Sequence, residues 1–185
     1  MLLSHLVFSV FLSYTFVSSK HTITRPETID PNELKREVRA HRETSAAVAF
    51  FAYRSGNLGI SSRYGRTYRT IIYDRVDLNI GNAYNRHNDI VTAPSTGVYL
   101  FHVSTGVCFK SWAIIQLIQN GRIRDISMPD SSMNGGHFRN QATTSTPLYL
   151  VKGDSVYVRI GHAHAGQCIE SNRDIRTSFS GVKIH

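Results

Sequence analysis

Residues 95–108 read S-T-G-V-Y-L-F-H-V-S-T-G-V-C. In an extended strand successive side chains point to opposite faces of the sheet, so Tyr99, Phe101 and Val103 share one face. That face is wholly apolar and is predicted to lie in a core. The opposite face carries Leu100 beside polar residues, which is typical of a sheet surface that meets solvent or a partner subunit.

From residue 46 onward the sequence consists of short strand-like segments separated by turn residues, and no amphipathic helix interrupts them. Asn120-Gly121 predicts a two-residue hairpin turn, and Lys152-Gly153-Asp154 predicts a second reversal. Several strands at this spacing indicate an all-β sandwich or jelly roll. The predicted strands are 46–54, 68–79, 97–107, 112–119, 122–127, 138–144, 148–151, 155–160 and 178–184.

The first 17 residues contain no acid and no Lys or Arg, and Ser18 and Ser19 precede the first charge at Lys20. This pattern predicts that residues 1–19 are a cleaved secretory signal peptide. The alternative is a membrane anchor, but polar residues interrupt the apolar run, which falls short of the roughly 20 residues that a span needs. We therefore expect a secreted, extracellular protein without membrane insertion.

Residues 20–45 are polar and are predicted to form a linker. Asp30-Pro31 is a helix start signal, so a short helix is expected to follow it. Leu34 and Val38 are the only large apolar residues in the expected helix (32–43), too few for a trimerising coiled coil, and no Gly-X-Y run provides a collagen stem. The globular domain is predicted to occupy residues 46–185.

The chain contains two cysteines, Cys108 and Cys168. Export would place them in an oxidising compartment, where thiols pair. The sequence therefore predicts one intramolecular disulfide between them, with two buried free thiols as the alternative.

Five blocks of the sequence occur in an order that resembles the globular head domain of the complement C1q and tumour necrosis factor superfamily. The resemblance covers residues 46–185. Two departures stand out: Asn88-Asp89-Ile90 replaces the usual small residue, Gly and aromatic, and Val182 replaces an aromatic. The blocks are A-F-F-A-Y-R-S (49–55), I-I-Y-D-R-V-D-L-N-I-G-N-A-Y-N (71–85), T-A-P-S-T-G-V-Y-L-F (92–101), L-Y-L-V-K-G-D-S-V-Y-V (148–158) and S-F-S-G-V-K-I (178–184).

The resemblance implies a ten-stranded jelly roll that assembles as a homotrimer, with recognition surfaces on loops and outer faces. It also implies that Phe179 plugs the core and that Gly181 lets backbones approach closely. Because no collagen stem is present, the chain looks like the stand-alone secreted heads of invertebrates, especially molluscs, which are considered pattern-recognition lectins of innate immunity. The alternative is a matrix or biomineral component, or a receptor ligand that binds a protein.

The net charge is +8, and 16 of the 21 basic residues are Arg, which favours anionic partners such as microbial polysaccharide or lipopolysaccharide. Within residues 53–69, Arg and Tyr interleave without an acid. Arg forks bind phosphate, sulfate and carboxylate groups, and Tyr faces stack on sugar rings. A solvated loop beside a subunit contact is the alternative, and secretion argues against nucleic acid as the partner. The candidate ligand-binding residues are Arg54, Arg63, Tyr64, Arg66, Tyr68 and Arg69.

Sequence motifs give no support for an enzyme. Gly153-Asp154-Ser155-Val156 resembles the nucleophile block of one lipase class only superficially, since the accompanying acid and histidine pair is missing, and a hairpin turn is the preferred interpretation. His162 and His164 alternate at a strand end, so both imidazoles could bind a divalent metal, and six would be available around a trimer axis. A solvated pair is the alternative. No cofactor is predicted otherwise; calcium, which some relatives bind, has no spacing signal here.

Overall fold

The structure is a computed structural model that describes residues 30–44, 47–60, 68–133, 138–163 and 168–184. These residues contain one helix and thirteen strands. The elements are α1 (Pro31–Thr44), β1 (Ala49–Tyr53), β2 (Leu58–Gly59), β3 (Arg69–Thr70), β4 (Arg75–Ile80), β5 (Tyr84–Asn85), β6 (Ile90–Thr92), β7 (Gly97–Val107), β8 (Ala113–Gln119), β9 (Arg122–Ser127), β10 (Asn140–Leu150), β11 (Ser155–Ala163), β12 (Cys168–Glu170) and β13 (Ser178–Lys183).

The helix α1 begins where the start signal predicts it. The Asp30 carboxylate accepts a hydrogen bond from the backbone N–H of Asn32 (2.9 Å), which caps the first turn. Its two large apolar side chains, Leu34 and Val38, are exposed. The described part of the chain contains no helix that is both long and apolar enough to cross a membrane.

The strands form two antiparallel sheets. The seven-stranded sheet has the order β2-β12-β7-β13-β1-β4, with β10 also paired to β7. The six-stranded sheet has the order β5-β6-β11-β8-β9, with β3 also paired to β11. This arrangement confirms the predicted all-β sandwich. The described residues contain thirteen strands, whereas ten were expected. The number is higher because five of the thirteen are short strands of two or three residues.

The core lies between the sheets and is rich in aromatic rings. Tyr99, Phe101 and Val103 of β7 are buried, as the alternation in residues 95–108 predicts. Phe179 of β13 is fully buried, and its ring centroid lies 4.9 Å from that of Phe50 and 5.9 Å from that of Phe101. The predicted core plug is therefore present, and it connects three strands of one sheet.

Three predicted strands differ from the observed ones. The predicted strands 138–144 and 148–151 are replaced by one strand, β10 (Asn140–Leu150), which runs through Pro147. Among the described strands β10 pairs only with β7, and an edge strand tolerates a residue that cannot donate a hydrogen bond. The predicted strand 68–79 is instead divided, since β3 pairs with β11 in one sheet and β4 pairs with β1 in the other. Residues 71–74 thus cross between the sheets.

The structure explains the departure at Asn88-Asp89-Ile90. Asp89 has a φ of +58°, a conformation that glycine adopts most easily. Its buried carboxylate accepts hydrogen bonds from the backbone N–H of Tyr73 (2.8 Å) and the hydroxyl of Tyr84 (2.6 Å). Burial, together with this bond, raises the pKa of Tyr84 far above its ordinary value. The side chain therefore compensates for backbone strain that a glycine would avoid.

Gly181 is enclosed by aromatic rings, whereas the sequence predicted a close approach of backbones. A Cβ atom there would lie 2.6 Å from Phe50 Cε1 and 2.8 Å from Phe101 Cδ1. We expect Gly181→Ala to lower the free energy of unfolding by about 1–3 kcal/mol, because the rings must shift within a filled core. Urea unfolding measures the change. Gly59→Ala is the control, since no atom lies within 4 Å of its added Cβ, and equal losses in both variants would contradict the steric explanation.

Candidate functional site

The outer surface of the seven-stranded sheet is apolar over one half. Strand register places five apolar residues side by side across β10, β7, β13, β1 and β4. They are exposed or half-buried, with Ile80 48% and Val182 42% exposed. Large exposed patches of this kind mark interaction surfaces. We name this surface the apolar face; it comprises Pro147, Leu100, Val182, Ala49 and Ile80 with the neighbouring Phe51, Leu78, Val98 and Tyr149.

The other half of the same outer surface is polar and hydrogen-bonded. His102 Nδ1 lies 2.7 Å from Ser145 Oγ, and Ser104 Oγ lies 2.8 Å from Thr143 Oγ1 on the neighbouring strand. These pairs satisfy one another across β7 and β10. The alternation in residues 95–108 therefore marks a surface that changes from apolar to polar along β7.

The structure describes three of the six predicted ligand-binding residues, namely Arg54, Tyr68 and Arg69. Arg63, Tyr64 and Arg66 lie outside the described residues. Arg54 donates from Nε to the carbonyl oxygen of Gly56 (3.0 Å) and from Nη1 to that of Ile72 (2.6 Å). The bond to Ile72 connects the segment after β1 to the segment after β3.

Tyr68 and Arg69 lie at the edge of the six-stranded sheet. The guanidinium carbon of Arg159 lies 5.0 Å from the centroid of the Tyr68 ring, which is 56% exposed. Arg159 Nε also donates to Gln116 Oε1 (2.8 Å), which fixes the cation under the ring. Arg69 is exposed and pairs with Ile160 of β11, whereas Arg159 pairs with Thr70. The sequence patterns did not single out Arg159, although its outward position in the alternating run V-Y-V-R-I (156–160) signals it.

The predicted metal ligands are only partly described. His162 lies on β11 beside a register shift, and its ring centroid is 5.3 Å from that of Trp112. Its Nδ1 atom is buried without a hydrogen-bond partner among the described residues. His164 lies outside those residues. Across the described ranges no three His, Cys, Asp or Glu side chains group as metal ligands, so the metal site stays a prediction.

Cys108 and Cys168 form a disulfide with a sequence separation of 60. The bridge joins the residue after β7 to the first residue of β12. The backbone N–H of Cys108 also donates to the carbonyl oxygen of Cys168 (3.0 Å). The covalent link therefore reinforces a contact that the sheet already makes.

The Gly153-Asp154-Ser155-Val156 segment forms a turn network. The Asp154 carboxylate accepts hydrogen bonds from Asn120 Nδ2 (2.8 Å), the backbone N–H of Val151 (3.0 Å) and Gln119 Nε2 (3.0 Å). These bonds hold the pKa of Asp154 below its ordinary value. Asn120 and Gly121 both have positive φ and connect the paired residues Gln119 and Arg122, as the hairpin signal predicts. Asp154 thus stabilises two adjacent turns.

A family model described as the C1q domain matches residues 49–183, so the chain belongs to the C1q domain family. Among solved structures, the globular domain of zebrafish complement 1qA protein is similar with a TM-score of 0.57 and 15% identity, over 75% of this chain and 98% of that chain. This match identifies the sandwich as the jelly roll that the resemblance implies.

Two further solved structures have a similar fold. Eiger TNF from S. frugiperda matches with a TM-score of 0.53 and 16% identity, over 76% of this chain and 94% of that chain. Murine APRIL matches with a TM-score of 0.53 and 16% identity, over 75% of this chain and 99% of that chain. At such identities these matches establish a fold shared by C1q and TNF proteins.

Proposed function

We propose that this chain is a secreted, non-enzymatic recognition protein of innate immunity that assembles as a homotrimer and binds anionic microbial glycans, including lipopolysaccharide. Its family supports the general part of this function, since C1q domain proteins are typically secreted, non-enzymatic and trimeric. The disulfide fits an oxidising compartment. In this proposal residues 1–19 are the signal peptide, residues 20–45 the linker and residues 46–185 the recognition head.

The apolar face is the observation that carries the proposal. Its row of five apolar residues runs across five strands. Their side chains are exposed or half-buried in the single chain. A trimer that covers this face removes apolar surface from water, at about 25 cal/mol per Å². Three heads joined in this way present each binding site three times, and multivalent attachment strengthens weak single sites.

Charge supports anionic glycans as the ligand class. The chain has a net charge of +8, and arginine outnumbers lysine 16 to 5. Guanidinium forks bind phosphate, sulfate and carboxylate groups in bidentate geometry, which lysine cannot do. A repeating anionic polymer would therefore contact several arginines of one trimer at once.

We predict that the protein secreted from the full sequence binds immobilised lipopolysaccharide and that rising salt weakens the binding. The variant Arg63→Ser/Arg66→Ser/Arg69→Ser should bind about tenfold more weakly or worse, since charge-assisted hydrogen bonds are each worth about 1.5–3 kcal/mol. Surface plasmon resonance measures the change. If this variant binds as strongly as the wild type and its binding remains salt-sensitive, the 63–69 segment is not part of the binding surface.

A glycan array distinguishes this function from its rival. Binding to several sulfated, phosphorylated or carboxylated glycans supports the recognition protein. If the protein binds no glycan on the array but binds tightly to a single protein or to mineral, the recognition function is rejected in favour of a receptor ligand or matrix component. Repeating the array with a chelator tests whether calcium, or a metal at His162 and His164, contributes.

A further inference from the structure

An open cleft of about 650 Å³ lies beside the start of β4. Its walls come from the segment that follows β1, from the first residue of β4 and from the loop between β12 and β13. The aromatic and basic side chains among its described lining residues are Tyr53, Arg54, Arg75, Arg173 and Arg176. We name it the arginine cleft.

Hydrogen bonds hold the walls of the arginine cleft together. Ser171 donates from its hydroxyl to the carbonyl oxygen of Arg54 (2.7 Å) and from its backbone N–H to Asn57 Oδ1 (2.8 Å). The backbone N–H of Arg54 donates to the carbonyl oxygen of Thr177 (3.0 Å). Because loops from distant parts of the chain are joined in this way, the cleft exists before any ligand enters.

The arginine cleft is strongly positive. Four of its described lining residues are arginines and none is acidic. The Arg176 guanidinium carbon lies 4.3 Å from the centroid of the Tyr53 ring, which orients this cation without neutralising it. Arg173 is exposed and forms no hydrogen bond or ion pair with the described part of the chain. Such a concentration of like charge attracts anions.

Two acidic residues that adjoin cleft arginines in the sequence, Asp74 and Asp174, already have partners. Asp74 accepts hydrogen bonds from the backbone N–H (2.8 Å) and the hydroxyl of Ser55. Although partial burial alone would raise the pKa of Asp74, these bonds outweigh it and lower the pKa. Asp74 Oδ2 lies 3.9 Å from Arg75 Nε, and the Arg75 side chain remains 64% exposed. Asp174 binds Arg139 instead. Arg173 and Arg176 are thus the cleft cations without an acidic partner among the described residues, and they are left for an external anion.

We propose that the arginine cleft binds a sulfate or phosphate ester group carried on a saccharide. Its volume exceeds that of one small oxyanion and falls within the range of about 300–1,000 Å³ that small-molecule sites occupy. Guanidinium donors on three separate segments match a tetrahedral group that accepts hydrogen bonds in several directions. This inference rests on the proposed recognition of anionic glycans and gives that recognition a location on the head.

The test is calorimetric titration of the secreted protein with a sulfated heparin tetrasaccharide and with the phosphorylated glucosamine disaccharide of lipid A. The variant Arg173→Gln/Arg176→Gln should bind at least about tenfold more weakly, because it removes two charged donors. The control Arg86→Gln/Arg122→Gln removes the same charge at exposed positions outside the cleft and should keep the affinity. A desulfated tetrasaccharide should bind at least about tenfold more weakly to the wild type.

Each result separates this inference from the proposed function. Equal losses of affinity in both double variants would overturn the assignment of the binding site to the cleft, because net charge alone would then explain the binding. The proposed glycan recognition would stand. Undiminished binding by Arg173→Gln/Arg176→Gln would also overturn it. So would an array on which only carboxylated glycans bind. Preference for one of the two probes identifies the source of the ester group and supports the site. Arg173→Gln alone, with weaker but measurable loss, serves if the double variant unfolds.

Discussion

Replacing Leu100 and Val182 by glutamate is expected to convert the proposed homotrimer into monomers. The two residues are directly opposite each other on β7 and β13, at the centre of the apolar row. In an assembled trimer each carboxylate would lose water without gaining a partner, and carboxylates would also repel one another. Like charges brought together at an interface cost several kcal/mol, so we expect the trimer dissociation midpoint to rise by about a thousandfold or more.

Sedimentation velocity across a concentration series measures this effect. Both side chains point away from the core, so circular dichroism of the monomeric variant should match that of the wild type. Ile126→Glu is the matched control, because Ile126 is 54% exposed on β9 of the other sheet. Dissociation by Ile126→Glu with an intact Leu100→Glu/Val182→Glu trimer would place the interface on the six-stranded sheet. A wild type that stays monomeric at high concentration would reject the trimer.

Removing the disulfide is expected to produce the largest loss of stability within one subunit. The bridge closes a loop with a sequence separation of 60, for which the chain-entropy relation gives about 4 kcal/mol. We therefore expect Cys108→Ser/Cys168→Ser to lower the free energy of unfolding by about that amount. The native hydrogen bond between the two backbones remains, so the folded state should keep its strand pairing.

Urea unfolding of the double variant and of the wild type, with and without reductant, measures the loss. The reduced wild type is the control, because it lacks the bond but keeps both side chains. If its stability equals that of the double variant, the covalent constraint itself explains the effect. A loss below about 1 kcal/mol in both would contradict the assignment of a stabilising bridge.

The strands of the sandwich were largely predictable, because apolar residues that become buried recur at every second position along a strand. Tyr99, Phe101 and Val103 follow that period and are buried. The hairpin at Asn120-Gly121 was predictable too, since few residues adopt two consecutive positive φ angles. The single strand through Pro147 was not, because a proline stops a strand unless the strand lies at an edge, and edges depend on which strands pair.

The candidate binding residues show that a local sequence pattern does not predict which side chains lie together. Tyr68 and Arg69 were grouped because they are neighbours in sequence, yet the arginine that contacts the Tyr68 ring is Arg159, 91 positions further along the chain. Conversely, Arg54 and Arg173 are far apart in sequence but line one cleft. Interleaved Arg and Tyr residues predict an anion-binding surface, but they do not indicate which side chains meet.

The amino-acid sequence by itself determined the all-β class, the inward face of the central strand and the two cysteines available to pair, because each depends on local alternation or composition. Only the tertiary structure decided that apolar residues of five strands align into one face and that four arginines from three segments share a cleft. Those features depend on strand register and loop packing. Both arise from contacts between residues distant in the chain, which no local pattern records.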